Sequence, residues 1–307
     1  MNQMNKAKRP RRESIHGIVL LDKSPGFTSN QVLQKVKRLL GARKAGHTGS
    51  LDPMATGLLP ICLGEATKVS PFLLNSDKRY LFTIRLGVAT ATGDAEGEIV
   101  QRLPVPELTR EKLEKALESF KGEIEQIPPM YSALKQGGKR LYELARQGIE
   151  VDRPPRRVTV YELHLLDWGQ DWLTLDALCS KGTFIRTLAE DIGKALDTVG
   201  HVENLRRTQV GDFNLQDAVT MEQLEAMPLE ERRSLLQTVD SAVSSWPEVA
   251  LTEDMTFYVL RGQPVLIPKL QAQGFVRLYN RDGLFLGVGE VLDDGRVAPR
   301  RLFKMAA

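Results

Sequence analysis

Cysteine is nearly absent from this chain, with two residues in 307, Cys62 and Cys179. Both sit in apolar runs, LLPICLG and LTLDALCS, so each reads as a small buried thiol rather than a disulfide partner or a metal ligand. Histidine is as sparse: His16, His47, His164 and His201 are dispersed and share no metal-ligand spacing with the cysteines, and no structural metal is expected. No run approaches the ~18 apolar residues of a membrane helix, and MNQMNKAKRPRR at the N-terminus lacks the apolar stretch of a signal peptide. The expected compartment is the cytoplasm. What remains, 42% hydrophobic and 26% charged, is the composition of a folded globular protein.

A strong excess of one charge is also missing. The net charge of +3 is too mild to prove a nucleic-acid partner, but its distribution is uneven. Basic residues cluster at Lys6, Lys8, Arg9, Arg11 and Arg12, at Lys135, Lys139, Arg140, Arg153, Arg156 and Arg157, at Arg206 and Arg207, and at Arg296, Arg300, Arg301 and Lys304. One such cluster is usually a solvated face. Four with few acids inside them make RNA or DNA a serious candidate partner.

After a basic tail expected to be disordered, Ile18 to Leu21 reads as a short buried strand closed by KSPG. Thr28 or Ser29 then caps a helix with Val32, Leu33, Val36, Leu39 and Leu40 on its apolar face and Gly41 at its end. GHTGSLDPMATG follows as a loop in which Pro53 biases Asp52 toward extended backbone, while Gly46, Gly49 and Gly57 permit turns or the close approach of another backbone. Tyr80, Phe82, Ile84 and Leu86 alternate on one strand face, a pattern that by itself puts Tyr80 in the core. A helix is expected from about Thr109 to Phe120. The segment from Gln126 to Arg157 interleaves Tyr131 and Tyr142 with basic residues, which suits base stacking beside phosphate contacts. Strands at about Val158 to Leu166 and Trp172 to Ser180 form a hairpin around GQD, followed by a helix with Phe184, Leu188, Ile192 and Leu196 inward and Arg186 at its start. Thr220 to Trp246 is helical and more polar. Beyond SSWPEV, short strands joined by NRDG and DDGR indicate a small β-barrel or sandwich. The expected architecture is one large α+β domain followed by a small β module.

Several chemistries fail on the GHTGSLDPMATG loop. It holds no lysine for a phosphate loop, no nucleophile elbow, and only one carboxylate where a divalent-metal phosphotransferase brings two or more together. What survives is a lone carboxylate acting as nucleophile or charge stabiliser, oriented by a distant basic partner that the pattern does not identify.

GHTGSLDPMATGLLPICLGEATK closely resembles the active-site loop of the bacterial tRNA pseudouridine-55 synthases, the TruB family. LDKSPGFTSN, SDKRYLFTIRLG, IPPMYSALKQGGKRLYELARQGIEV, CSKGTFIRTLAEDIG and HVENLRRTQVG fall in the family's order and spacing, and GVGEVLDDGRVAPRRL is similar to its C-terminal RNA-binding module of PUA type. The resemblance runs from about His16 to Phe303. It implies a pseudouridine synthase fold, a large mixed or antiparallel β-sheet flanked by helices, with a small PUA-like β-barrel. The implied domains are a tail over 1–15, a catalytic domain over 16–246 with an RNA-clasping insertion at about 128–157, and the RNA-binding module over 247–307.

The resemblance also implies roles. Asp52 falls on the catalytic aspartate that is essential for breaking the uridine C1′ to N1 bond and rejoining the ring through C5. Arg186 falls on its arginine partner, and Tyr80 on the tyrosine that stacks on the flipped uracil. Leu205 matches an apolar wall of the pocket, His47 a residue that fills the vacated stack in the T loop, and Lys23 a lysine at the edge of the site. Tyr131 opens the mobile insertion. Phe184 stands where the family usually has tyrosine, and Ser24 and Pro25 shift the usual Lys-Pro by one place. The implied substrate is tRNA, gripped at the T arm and acceptor stem, with no metal, no cofactor and a monomeric enzyme. The rival reading is a non-catalytic tRNA-binding or folding protein on the same scaffold.

Overall fold

Thr28 fixes the first turn of the structure. Its hydroxyl accepts from the Gln31 N–H at 3.2 Å while Gln31 Oε1 accepts from the Thr28 N–H at 2.8 Å, a reciprocal cap that starts the Ser29–Leu39 helix. The computed structural model describes residues 13–132 and 134–304. Of the tail expected to be disordered, residues 1–12, with the first basic cluster, lie outside the described residues. Glu13 instead pairs with Ala42 and reaches Arg233, and Ile15 packs into the core.

The main sheet is mixed and ten-stranded. Across it lie Val219–Thr220, Gly17–Lys23, Thr56–Leu63, Gly200–Val210, Lys78–Leu86, Trp172–Cys179, Arg156–Trp168 and Gly122–Gln126, with Ala45–His47 added to Thr56–Leu63 and Phe213–Asn214 to Gly200–Val210. Two pairs are parallel, Gly17–Lys23 with Val219–Thr220 and Thr56–Leu63 with Gly200–Val210. One edge of Thr56–Leu63 is shared between two neighbours: Thr56 and Gly57 pair with Arg206 and Arg207, whereas Ile61 to Leu63 pair with His47 to Ala45. The sheet therefore splits along this edge. The loop from Thr48 to Ala55 emerges at the split, and its first flank is a strand rather than the continuous loop expected from sequence.

The near-continuous apolar runs GIVLLDK and TGLLPICL are explained by burial on both faces. Val19, Leu21, Leu59 and Ile61 face the Ser29–Leu39 helix with Val32, Leu33 and Val36. The alternate residues Ile18, Leu20, Leu58 and Cys62 meet Tyr279, Phe285, Val288 and Phe303 of the C-terminal module. Cys62 and Cys179 are free and buried, and burial pushes each thiol up to about 12. Toward the other end of the sheet, Phe82, Ile84, Leu86, Leu175 and Ala177 pack beneath Ile185, Leu188 and Ile192 of the Ile185–Ala195 helix and Leu113 and Leu117 of the Arg110–Glu118 helix. At about 1.5–3 kcal/mol for each large apolar side chain buried, these clusters carry most of the folding energy.

Phe184 departs from the sequence reading. It is the extended residue preceding the helix and is half-buried, and Ile185 takes the inward place expected for it. The C-terminal module is a curled five-stranded half-barrel in the order Glu248–Ala250, Phe275–Tyr279, Phe285–Val291, Arg296–Leu302, Val265–Leu266. It carries a helix that period-two reading missed, Glu253–Leu260, capped by Thr252. Although it has its own cluster around Val259, Val276 and Leu278, it also completes the core of the large domain, and Phe72, Trp246 and Phe275 lock the junction edge-on and stacked. No described helix is long and apolar enough to cross a membrane.

Candidate active site

Asp52 rides on a loop pinned through its backbone. Ser29, buried in the first turn of its helix, accepts from the Leu51 N–H at 2.8 Å and donates to the Leu51 carbonyl at 3.0 Å. The Pro53 carbonyl accepts from the Gly26 N–H at 2.9 Å, and the Ala55 N–H returns to the Asp52 carbonyl at 3.1 Å. Lys23 is part of this scaffold rather than an open edge of the site. It is 1% exposed, and its ammonium donates to the carbonyls of Ser24, Pro53 and Ala55 at 3.0, 3.1 and 2.6 Å. Burial pushes that ammonium down to about 8, against the pull of Asp52. The Ser29 bonds to Leu51 on one side and the Lys23 bonds to Pro53 and Ala55 on the other bracket Asp52, so the loop has little freedom to swing it.

Arg186 supplies the partner that sequence spacing left open. Its Nε stands 3.2 Å from Asp52 Oδ2, across 134 positions of chain, because the Ile185–Ala195 helix starts over the end of the Trp172–Cys179 strand. The rest of the guanidinium is equally committed: Nη1 donates to the Thr92 carbonyl at 3.0 Å and Nη2 to the Tyr131 carbonyl at 2.7 Å. Tyr131 therefore enters the site through its backbone. A second carboxylate, Asp94, lies with Oδ2 3.5 Å from Arg186 Nη1 and is itself buried. Sequence reading missed it, because the acid sits 42 residues beyond Asp52 in the turn TGDAEG. The available signal was an aspartate flanked by glycines between two short strands, Val88–Thr90 and Ile99–Arg102.

Burial raises the Asp52 carboxyl above the usual carboxylate range, Arg186 pulls it back, Asp94 raises it and Lys23 lowers it. Arg186 thus orients the acid and offsets part of its desolvation. Tyr80 packs beside Leu205 against the core cluster that carries the Arg186 helix. Burial raises its phenol, and Arg207 opposes that rise. Phe184 is fixed at the other side by buried Gln126, whose amide donates to the Phe184 carbonyl at 3.2 Å and accepts from its N–H at 3.0 Å. His47 ends the strand before the loop, half-buried, with burial and then Arg207 holding its imidazole below the usual range. Its Nδ1 has no hydrogen-bond partner among the described residues.

The basic clusters divide. Arg206 forms a two-pronged bond to Asp22, at 3.1 and 2.6 Å, and Arg207 is 1% exposed, so neither offers the surface charge expected of this pair. Arg157, Arg296 and Arg300 are paired with Glu123, Asp294 and Glu290. The side chains of Lys135, Lys139, Arg156, Arg301 and Lys304 are exposed with no carboxylate paired to them among the described residues, as are those of Arg43 and Lys44 beside His47. Among the described residues, no three His, Cys, Asp or Glu side chains are grouped to hold a metal. The arrangement is a recessed carboxylate, aimed by an arginine, beside an aromatic and an aliphatic wall and near free positive charge. It suits attack on, or stabilisation of, an electron-poor centre in a flat polyanionic substrate.

Three family models cover most of the chain: the N-terminal domain of TruB family pseudouridylate synthase over residues 37–185, the C-terminal domain of tRNA pseudouridylate synthase B over 186–244, and the C-terminal segment of pseudouridine synthase II TruB over 247–303. Proteins called tRNA pseudouridine synthase B from Nitrosococcus oceani and Stutzerimonas stutzeri are 52% and 53% identical to it, covering 97% and 98% of this chain and 98% and 99% of theirs. Among solved structures, a chain of a Cbf5-Nop10-Gar1 complex superposes with a TM-score of 0.72 at 25% identity, over 94% of this chain and 84% of that one. A chain of an H/ACA RNP bound to a substrate RNA containing 2′-deoxyuridine gives 0.70 at 23% identity, over 94% and 85%, which shows the shared fold.

Proposed function

The chain belongs to the TruB family of pseudouridylate synthases, and from that premise we propose that it isomerises the T-loop uridine of tRNA to pseudouridine with Asp52 as the essential carboxylate. The observation that carries the reading is the 3.2 Å pair of Asp52 and Arg186 on a loop pinned at both sides. An isomerisation without net hydrolysis needs one positioned carboxylate rather than the paired acid and base of a glycosidase.

The uridine lies within a folded loop, so its C1′ and C5 become reachable only when the nucleotide is extruded, at a cost of a few kcal/mol in lost stacking. In this reading His47 takes up the vacated stack, with Arg43 and Lys44 beside it in the chain to meet phosphates. Tyr80 and Leu205 hold the flat base while the C1′ to N1 bond is broken, the ring turns, and C5 joins C1′, after which C5 gives up its hydrogen as a proton and N1 takes a proton up. Arg186 keeps the Asp52 carboxylate aimed throughout. The exposed cations of the Lys135 to Arg140 hairpin, Arg156, and Arg301 and Lys304 of the C-terminal module suit contacts to the T arm and acceptor stem.

The test is tritium release from a tRNA transcript labelled at uridine C5, in the presence of EDTA, for wild type and Asp52→Asn. Wild-type release with loss of at least a thousandfold in the variant is expected, from removal of the one reacting carboxylate. No release by the wild type leaves the rival, a tRNA-binding or folding protein on the same scaffold. Undiminished release by Asp52→Asn removes the assigned carboxylate.

A further inference from the structure

Among the described residues Arg207 heads the fully buried side chains by volume, and it has no carboxylate paired to it there. Its neighbour Arg206 shows the ordinary solution, a paired acid in Asp22. A buried charge without a counter-ion weakens a fold relative to an apolar side chain of the same volume, so stability alone does not call for arginine here. What the guanidinium touches is informative. Nε donates to the Leu58 carbonyl at 2.8 Å and Nη2 to the Gly49 carbonyl at 3.1 Å, which spans the split where Thr56–Leu63 changes partners. Tyr80 is directly opposite Arg207 in the antiparallel ladder, which sets its side chain on the same face as the guanidinium.

These neighbours lie on the parts of the site that have no covalent reason to keep register. Gly49 precedes Asp52 by three residues on the loop, Leu58 anchors the far end of that loop, and Tyr80 stands on a strand separated from both by Gly200–Val210. One rigid fork joins the Gly49 and Leu58 carbonyls while lying across from Tyr80, and a lysine ammonium lacks the span and planarity to do so. The electrostatics agree in direction: Arg207 lowers the Tyr80 phenol and lowers His47, so its charge is felt by both.

We propose that Arg207 is a positioning residue for the isomerisation, fixing the Tyr80 phenol oxygen relative to the Asp52 loop without touching the RNA. The proposal rests on the reading of the site as a uridine isomerase. Its consequence is a defect in the chemical step alone.

The experiment is single-turnover tritium release with excess enzyme, for Arg207→Lys, Arg207→Gln, Tyr80→Phe and the Arg207→Lys/Tyr80→Phe double variant, sampled over days, with tRNA affinity measured by filter retention. Arg207→Lys is expected to slow the rate constant at least tenfold and Arg207→Gln further, with full amplitude and tRNA affinity within threefold of wild type. A partly unfolded preparation lowers the amplitude instead. In the Tyr80→Phe background the lysine substitution is expected to cost at least fivefold less than in wild type, because the group it positions is gone. A rate within threefold of wild type for either Arg207 variant, or fully multiplicative losses in the double variant, overturns the proposal. So does failure of both Arg207 variants to fold, which makes the residue structural. Absence of release by the wild type overturns the functional reading itself, whereas an active wild type with an insensitive Arg207 overturns only this inference.

Discussion

Asp94 Oδ2 stands 3.5 Å from the Nη1 of Arg186, whose Nε holds Asp52 at 3.2 Å, so one buried guanidinium is shared by two carboxylates. Asp94 is also tied to its own turn, through the Glu96 N–H at 3.1 Å, and therefore acts as a fixed stop for the arginine.

Asp94→Asn keeps the shape and removes that stop. A charge-assisted contact is worth ~1.5–3 kcal/mol, so kcat is expected to fall roughly ten- to a hundredfold in tritium release while tRNA affinity stays within a few-fold. An unchanged kcat would show that the Thr92 and Tyr131 carbonyls suffice to aim Arg186.

The pH dependence follows from the charges around Asp52. Burial raises its pKa and Arg186 is the main group that lowers it, so removing that positive charge favours the protonated form. Activity that requires ionised Asp52 is lost as pH falls through this pKa. The acid limb of the kcat/KM profile of Arg186→Gln is therefore expected to lie at higher pH than in wild type, on top of a lower plateau. A limb at the same or lower pH contradicts the assignment of Arg186 as the partner of Asp52.

Gly57 has φ +100°, and a Cβ built on it lies 2.3 Å from the Arg207 carbonyl oxygen and 2.8 Å from its nitrogen. Both contacts are with backbone inside the sheet, which cannot step aside cheaply. Gly57→Ala is expected to destabilise the protein by more than ~1 kcal/mol, and a Tm within a degree of wild type in a thermal melt would contradict the close approach.

Phe184 is held through its backbone by Gln126, so the ring keeps its place whether or not it bears a hydroxyl. Phe184→Tyr is expected to change the single-turnover rate by less than tenfold, ~1.4 kcal/mol in barrier. A larger change would mean that the hydroxyl usual at this position takes part in aiming Arg186 or Asp52.

Much of the scaffold was legible because it is local. The Thr28 cap, the Val32-Leu33-Val36 face, the strand alternation from Tyr80 to Leu86 and the loop character around Asp52 are set by residues a few positions apart. Gly57 reads, with Gly46 and Gly49, as permitting a turn or the close approach of another backbone, and the structure shows the approach of Arg207. Phe184 was misplaced because helical periodicity marks the stripe and not the residue at which the helix begins. The Glu253–Leu260 helix was missed because Val259 is its one fully buried residue while Phe257, Tyr258 and Leu260 are exposed, so its apolar residues form no single stripe.

Charge is where the sequence pattern misled. Arg206 and Arg207 are chemically identical neighbours, yet one is paired with Asp22 at the surface and the other is sealed beneath the Asp52 loop, because adjacent residues of a strand point to opposite sides. Lys23, matched by the resemblance to a lysine at the edge of the site, is a staple between loop carbonyls. By itself the sequence determined which segments become strands and helices, and which acid lies on a shaped loop. Residue pattern left the partner of that acid open and only the family resemblance pointed to Arg186; the tertiary structure set that arginine 3.2 Å from it, and alone decided Asp94 behind it and the buried place of Arg207. The worth of a charged group depends on what lies within a few ångströms of it, and those neighbours come from segments that chain order does not bring together.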